Sequence, residues 1–129
     1  MSAAVDTDSR LVEYYGRLDG NLPGEPLELL ADDFEFSMDL IGEEVEGGHQ
    51  HFSGGREQMR GYVDNRPPGR SHHLARVSAA GGTEVALGVV REDGEFLALF
   101  LASIQTGADG KIVRYLVSRH SALPFELEV

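Results

Sequence analysis

Residues 71–120 decide the fold, and they read SHHLARVSAAGGTEVALGVVREDGEFLALFLASIQTGADGKIVRYLVSRH. Turn residues divide the stretch into four apolar segments: Gly-Gly, then Asp-Gly, then Gly-Ala-Asp-Gly. These segments predict strands at Ser71–Ala80, Thr83–Arg91, Glu95–Gln105 and Lys111–His120. Because the connections are short, neighbouring strands should be antiparallel, and this half of the chain is predicted to be a meander.

Three helices are predicted ahead of the meander, and each needs a surface on which to pack. The first begins at the cap residues 7–9 (Thr-Asp-Ser) and ends near Gly20, with apolar residues recurring at helical spacing. The second is short, Pro26–Ala31, because proline suits a first helical turn. The third is Arg56–Asn65, and the prolines that follow it end it.

One further strand is predicted between the helices, at Asp33–Ile41. Its residues alternate, so Phe34, Phe36 and Met38 fall on one face and make a buried side. Asp39 falls on the opposite face. It reaches the interior only if a bulge shifts the register near the end of the strand.

Residues 42–55 are acidic and rich in glycine, and they are predicted to be a loop, with a short hairpin as an option. His49 and His51 share a side if this segment is extended, and Glu43, Glu44 and Glu46 are close in sequence. Two histidines and a carboxylate can hold a divalent metal. A flexible acidic loop is the preferred interpretation, and no metal site is predicted.

The composition indicates one globular domain, residues 1–129, long enough to bury a core. The formal net charge is −11, and 13 of the 22 acidic residues lie in residues 1–50. Such a charge repels phosphate backbones, so no nucleic-acid partner is expected. The sequence has no cysteine, no signal-peptide pattern and no apolar run of membrane-spanning length, so no membrane partner is predicted and the cytoplasm is the expected location.

Helices placed ahead of an antiparallel sheet predict an α+β domain. Three helices on a curved sheet form a cone whose interior is apolar. The second face of the sheet is also apolar, with Leu97, Leu99 and Leu101 on one side of their strand and Phe96 and Phe100 on the other. Because the helices cannot cover both faces, a homodimer packed sheet to sheet is expected.

Three local motifs carry a resemblance to a known superfamily. They are LLADDF at 29–34, GGREQM at 54–59 and DGKIV at 109–113. Their order and spacing resemble the nuclear transport factor 2-like superfamily, which includes SnoaL-like polyketide cyclases, ketosteroid isomerase and scytalone dehydratase. The resemblance implies a cone-shaped fold with three N-terminal helices on a curved, mostly antiparallel sheet, and it also implies a homodimer.

The resemblance also carries family residues onto this chain. The oxyanion-donating tyrosine of ketosteroid isomerase falls on Tyr14. The general-base aspartate of that enzyme falls on Met38 and its second aspartate on Ala102 or Ser103, so neither carboxyl is present. The third-strand histidine of scytalone dehydratase falls on His73.

His73 is the candidate base, because an imidazole can accept a proton near pH 7. It follows His72 on the same strand, so the two side chains point to opposite faces and one of them should face inward. An inward histidine that only forms a core hydrogen bond is an equal alternative. Tyr14 is the candidate phenol donor, whereas Tyr15 is assigned to core packing.

The remaining candidates line the predicted ligand pocket. Phe34, Phe36 and Met38 supply an apolar floor, and Tyr62, Tyr115 and Val117 supply walls. Arg119 lies at the end of the inward face of the last strand, where it can hold a carboxylate ligand or pair with an acid of the first fifty residues. The catalytic candidates are Tyr14, His73 and, with a register shift, Asp39.

These residues predict a pocket for a small, mostly apolar molecule that carries a carbonyl. Proton-transfer chemistry of the isomerase, dehydratase or cyclase type is possible there without a cofactor. The alternative is a domain without chemistry, either a binder of small ligands or a module that dimerises through its sheet. An inward histidine or carboxyl within reach of a phenol separates the first prediction from the second.

Overall fold

The computed structural model describes residues 9–42 and 46–127. Two α-helices, α1 and α2, and six strands, β1 to β6, make up the fold of these residues. In chain order they are α1 Arg10–Leu18, β1 Leu30–Ile41, β2 His49–Gly55, α2 Arg56–Asp64, β3 Arg70–Ala80, β4 Thr83–Glu92, β5 Glu95–Thr106 and β6 Ile112–His120; short 3₁₀ segments lie at Pro26–Leu29 and Glu46–Gly48.

All six strands belong to one sheet, in the order β2-β1-β6-β5-β4-β3. Strands β3 to β6 form the predicted antiparallel meander. Strand β1 joins the same sheet by pairing parallel to β6, which is the single parallel pair among the described strands. The α+β class and the mostly antiparallel curved sheet are confirmed.

The prediction of three N-terminal helices is wrong for the described residues. The segment that begins at Pro26 is a 3₁₀ helix of four residues, and the chain turns extended at Leu30, where β1 begins. Leu30 pairs with Ile112 of β6, so it is the first residue of β1 and the helix ends before it. The predicted caps Thr7 and Asp8 lie outside the described residues, and Ser9 is the N-cap of α1.

The expected loop over residues 42–55 contains strand β2, so its hairpin option is the one observed. β2 pairs antiparallel with β1 from Glu35 opposite Gly55 to Ile41 opposite His49. The glycines and polar residues of β2 have low strand propensity. The unpaired edge of β1 supplies the hydrogen-bonding partner that the local sequence does not indicate.

Helix α1 is fixed to the inner face of the sheet through a buried carboxylate, that of Glu84 on β4. Glu84 accepts hydrogen bonds from the Ser9 hydroxyl, from the backbone N–H of Arg10 at 2.8 Å and from that of Leu11 at 3.2 Å. These backbone donors are unsatisfied at the start of any helix, and the helix dipole favours a negative charge there. This contact therefore sets where α1 begins on the sheet.

Within the described part of the chain, helices cover only the inner face of the sheet. Its buried side chains include Phe34, Phe36, Met38 and Phe100. The outer face leaves Val85, Leu101 and Leu116 exposed at 48%, 56% and 57%. Within residues 9–42 and 46–127, no helix combines the length and the apolar composition needed to cross a lipid bilayer.

Replacing Glu84 by Gln should lower the free energy of unfolding by about 1–3 kcal/mol, because the buried start of α1 loses a charged acceptor. Urea denaturation at pH 7.5 measures the change. The matched control is Glu95→Gln, an exposed position at the start of β5. Equal midpoints for Glu84→Gln and Glu95→Gln would contradict the anchoring role.

Candidate functional site

A small cavity lies inside the cone, between helix α1 and the inner face of the sheet. Its volume is about 20 Å³, which is room for one water-sized group. Its lining is mostly apolar and aromatic, with one histidine and one arginine: Tyr14, Tyr15, Leu18, Met38, Leu40, Tyr62, His72, Val90, Phe100, Tyr115, Val117 and Arg119.

A buried carboxylate holds the histidine of this cavity. Asp19 ends helix α1 as its C-cap, and its side chain is 2% exposed. Its carboxylate accepts from the backbone N–H of His72 at 2.6 Å and lies 3.0 Å from the His72 Nδ1. Arg66, just beyond α2, donates to the same carboxylate from Nη2 at 2.7 Å. Because an ionised carboxylate only accepts, the His72 Nδ1 carries a proton, and in the neutral imidazole the Nε2 then has the lone pair.

The surroundings of this pair favour a neutral imidazole next to an ionised carboxylate. Burial lowers the pKa of His72; the hydrogen bond and charge of Asp19 oppose this, while the charges of Arg66 and Arg119 add to it. Burial alone would raise the pKa of Asp19, but the hydrogen bonds from His72 and the charge of Arg66 outweigh it and hold the pKa below its ordinary value. His72 can therefore accept a proton at pH 7.

Aromatic contacts fix the plane of the His72 ring. Tyr15 stacks on it with ring centroids 4.5 Å apart and an interplanar angle of 23°. Phe100 meets the same ring edge to face at 5.4 Å. Gly88 of β4 makes room for Phe100, since a Cβ at Gly88 would lie 2.6 Å from the phenylalanine ring. The imidazole is thus held by the Asp19 carboxylate, by the stacked Tyr15 ring and by the edge-to-face Phe100 ring.

Three phenols lie beside the histidine, and all are neutral at pH 7. The Tyr15 and Tyr115 hydroxyls are 2.6 Å apart, and the Tyr14 hydroxyl donates to the Met59 Sδ at 3.5 Å. Burial raises the pKa of all three hydroxyls above its ordinary value. One of the Tyr15 and Tyr115 hydroxyls donates its hydrogen to the other. The hydrogen of the accepting hydroxyl is then available to a group in the cavity.

The structure brings six of the candidate site residues together around the cavity. The ones that line the cavity are Tyr14, Met38, Tyr62, Tyr115, Val117 and Arg119. Phe34 is buried in the core instead, and Phe36 is buried at the wall of a separate groove on the surface. Tyr15 is more than core packing, because its hydroxyl and its ring both contact groups of the site.

The expectation that His73 faces the interior is wrong. His73 is exposed on the outer face of the sheet, where its Nε2 lies 3.0 Å from the Ser71 hydroxyl oxygen. The pairing between β3 and β4 sets this choice, because His72 lies opposite the inward-facing Val90 and His73 opposite Val89. The inward histidine is therefore His72.

Asp39 also lies away from the cavity. The register shift between β1 and β6 falls between Leu30 and Glu35, so the end of β1 keeps its alternation and Asp39 stays on the outer face. Its Oδ1 lies 2.8 Å from the His49 Nε2 and 3.0 Å from the His51 Nδ1. The hydrogen bonds from His49 and then His51 lower the pKa of Asp39.

His49 and His51 of β2 are the residues that the sequence analysis weighed as metal ligands. Throughout the described part of the chain, no group of three His, Cys, Asp or Glu side chains is placed to hold a metal ion. Glu43 and Glu44, which the sequence placed near these histidines, lie outside the described residues.

Sequence reasoning missed Asp19, Arg66 and the inward role of His72. Asp19 precedes Gly20 at a helix end, where an exposed polar residue is common. The partner that buries it is 53 residues further along the chain. One signal was available in the sequence. Asp19 ends the first helix, which must lie across the sheet, and one of its strands carries the adjacent His72 and His73.

Comparison with solved structures finds the same architecture in several bacterial proteins. A candidate ketosteroid isomerase from Kribbella flavida is 17% identical with a TM-score of 0.67, over 92% of this chain and 81% of its own. A nuclear transport factor 2-like protein of unknown function from Cytophaga hutchinsonii is 16% identical with a TM-score of 0.61, over 92% and 94%. IdmH, a candidate polyketide cyclase from Streptomyces antibioticus, is 19% identical with a TM-score of 0.59, over 85% and 88%.

No family model matches this sequence, and no curated protein matches it. The structural likeness at these low identities establishes the nuclear transport factor 2-like fold. It leaves the chemistry to be argued from the site, since one fold hosts many functions.

Replacing His72 by Gln should make the stability of the protein less sensitive to acid. The folded state holds the pKa of His72 below its unfolded value. As the pH falls through about 6.5, the unfolded chain therefore takes up a proton more readily, and the wild type loses free energy of unfolding. Urea denaturation at pH 7.5 and at pH 5.5 measures this loss for each protein.

The matched control is His73→Gln on the exposed face of the same strand, which should keep the wild-type dependence on pH. The account is wrong if His72→Gln loses as much free energy of unfolding between the two pH values as the wild type does.

Proposed function

We propose that this chain, which has the nuclear transport factor 2-like fold, binds a small, mostly apolar carbonyl compound. In this proposal it removes a proton from the carbon beside the carbonyl and then returns it elsewhere in the molecule. The observation that carries the proposal is the Asp19–His72 pair facing a cavity that also holds a hydrogen-bonded pair of phenols. A base and a neutral donor within one small, mostly apolar space are the two groups that enolisation requires.

His72 serves as the general base in this proposal. Its Nε2 takes the proton from the carbon, and the electron pair of the broken C–H bond moves into the carbonyl to form an enolate. Asp19 keeps the Nδ1 proton in place and stabilises the imidazolium that forms. The proton then returns to a different carbon in an isomerisation, or to a departing hydroxyl in a dehydration.

The phenol pair and Arg119 stabilise the enolate. The hydrogen left over from the Tyr15–Tyr115 pair is donated to the developing oxyanion without adding a charge. Arg119 is buried on the inner face of β6 and lines the same cavity, so its positive charge favours negative charge there. Tyr14 lies against both rings, with centroids 5.4 Å from Tyr15 and 5.6 Å from Tyr115, and it packs the pair in position.

The comparisons support this class of chemistry without naming a substrate. Two of the similar structures are called a candidate ketosteroid isomerase and a candidate polyketide cyclase. The assignment of the base rests on this chain's own residues, because the base is His72, held by Asp19 at the end of α1. The competing candidate is binding without chemistry, because a cavity of about 20 Å³ admits only a water-sized group to His72.

Deuterium exchange at the carbons next to the carbonyl of 2-tetralone tests the proton transfer. This ketone is flat and apolar, and NMR follows the loss of its α-protons in D₂O. We expect the wild type to accelerate exchange and His72→Gln to reduce that acceleration by about 10²–10⁴-fold. Asp19→Asn should reduce it as well, because an amide no longer fixes the tautomer of the imidazole.

His73→Gln is the control for the exchange experiment and should keep the wild-type rate. Wild-type exchange no faster than in buffer, with the ketone bound, would favour the binding protein without chemistry. Equal rates in the wild type and His72→Gln would also contradict the proposed base.

We further propose that the outer face of the sheet pairs with a second copy of this chain. Val85, Leu101 and Leu116 are exposed there, and they border an apolar hollow of about 610 Å³. An exposed apolar sheet face of this kind is typical of an interface. Two copies related by a two-fold axis would bury this face against itself and leave both cones accessible.

Light scattering at micromolar concentration should give twice the chain mass of 14.0 kDa. Replacing Leu101 by Glu should give the monomer mass, because two carboxylates would be buried at the centre of the interface. The control is Leu22→Glu, a half-exposed leucine beyond α1. A monomeric wild type would refute the dimer without affecting the proposed chemistry.

A further inference from the structure

A second hollow adjoins the cavity and shares a wall with it. This groove has a volume of about 600 Å³ and lies open to the surface between β2, α2 and the start of β3. Tyr62 of α2 lines both the groove and the cavity. Arg66 also lines the groove, and its guanidinium binds the Asp19 carboxylate that holds His72.

We propose that the groove binds the body of the ligand and that Tyr62 closes the passage from the groove to His72. The ligand class is an uncharged, flat, apolar molecule, aromatic in its main part, with one carbonyl or hydroxyl group at its end. The inference rests on the proposed function for what happens to that group. Binding in the groove is a separate claim.

The volumes of the groove and of the cavity limit which part of a ligand each of them can hold. A cavity of about 20 Å³ takes one water-sized group. A groove of about 600 Å³ falls in the range of sites that hold drug-sized molecules. A ligand that reaches the histidine must therefore keep most of its bulk in the groove and send only its oxygen-bearing end past Tyr62.

The groove walls suit a flat apolar body. Phe52 of β2 is 40% exposed, although its strand neighbour across the sheet, Met38, is buried. The rings of Phe52 and Tyr62 lie 6.3 Å apart at 53°, and Phe36 also lines the groove. Rings at such separations gain from a further aromatic partner, which would also remove the exposed Phe52 from water.

The charges at the groove favour an uncharged ligand. Its two arginines already have acid partners: Arg66 binds Asp19 at 2.7 Å and Arg70 binds Glu92 at 3.1 Å. The formal net charge of the whole chain is −11, which repels anions at a distance. A cationic ligand would be repelled by the guanidinium groups of Arg66 and Arg70. An anionic ligand would have to displace the carboxylates of Asp19 and Glu92 from these arginines.

Gly61 allows the groove to be filled without disturbing the fold. It lies in the middle of α2, lines the groove, and a Cβ at this position would meet no atom within 4 Å. Larger side chains at Gly61 therefore project into open space, and helix propensity favours them over glycine. The matched control is Arg60, which is exposed on the same helix and does not line the groove.

The probe is 2-naphthol, whose fluorescence reports binding and whose single hydroxyl sits on a flat apolar body. Affinity should fall in the series Gly61, Ala, Leu, Phe, and Gly61→Phe should bind roughly tenfold more weakly or worse. Arg60→Phe should stay within about twofold of the wild type. Equal affinity in Gly61→Phe, equal loss in Arg60→Phe, or no binding to the wild type would each overturn the proposal.

Two further variants separate the groove from the chemistry. His72→Gln should weaken 2-naphthol binding less than Gly61→Phe does, because the body of the probe lies in the groove and only its hydroxyl end reaches the cavity. Tyr62→Ala should raise the association rate of 2-tetralone and its exchange rate, since the passage is then open. Slower association in Tyr62→Ala would overturn the closing role of Tyr62, whereas absent exchange with intact naphthol binding would overturn only the proposed function.

Discussion

The Asp19 carboxylate is the contact on which the fold and the site both depend. It lies at the end of α1 and binds the backbone and the ring of His72 on β3. Arg66, beyond α2, reaches the same carboxylate and also donates to the Leu18 carbonyl at 2.9 Å. One buried charge thus joins the two α-helices to the third strand. A buried carboxylate is tolerated only with such partners, so the site cannot form without these junctions.

The opposite end of α1 is held by a similar device. Glu84 accepts from the first backbone donors of the helix, and Asp19 closes its last turn, so both ends of α1 are fixed to the sheet by acids. The helix between them places Tyr14 and Tyr15 over the inner face. Because both ends are fixed, the stacking of Tyr15 on His72 and its hydrogen bond to Tyr115 require little further ordering.

Local signals predicted what is local, and long-range pairing decided the rest. Glycine-containing turns mark the meander, and helical spacing marks the apolar face of α1, so both were predicted correctly. Strand β2 was predicted only as an option within a loop, because its pairing partner, and not its own composition, makes it extended. Because side chains alternate along a strand, one of His72 and His73 had to face inward. The register of β3 against β4 decides that it is His72. Asp19 gains its role only from a strand that begins about fifty residues later, so no pattern around it indicated a buried acid.

Proton transfer at this site requires His72 to be neutral at pH 7, with its proton on Nδ1 toward Asp19 and a lone pair on Nε2. Long-range ¹H–¹⁵N correlation NMR of the imidazole measures this state directly, because protonated and unprotonated ring nitrogens differ widely in chemical shift. We expect a protonated Nδ1 and an unprotonated Nε2 for His72 at pH 7. A proton on Nε2 at that pH, either alone or with one on Nδ1, would contradict this expectation.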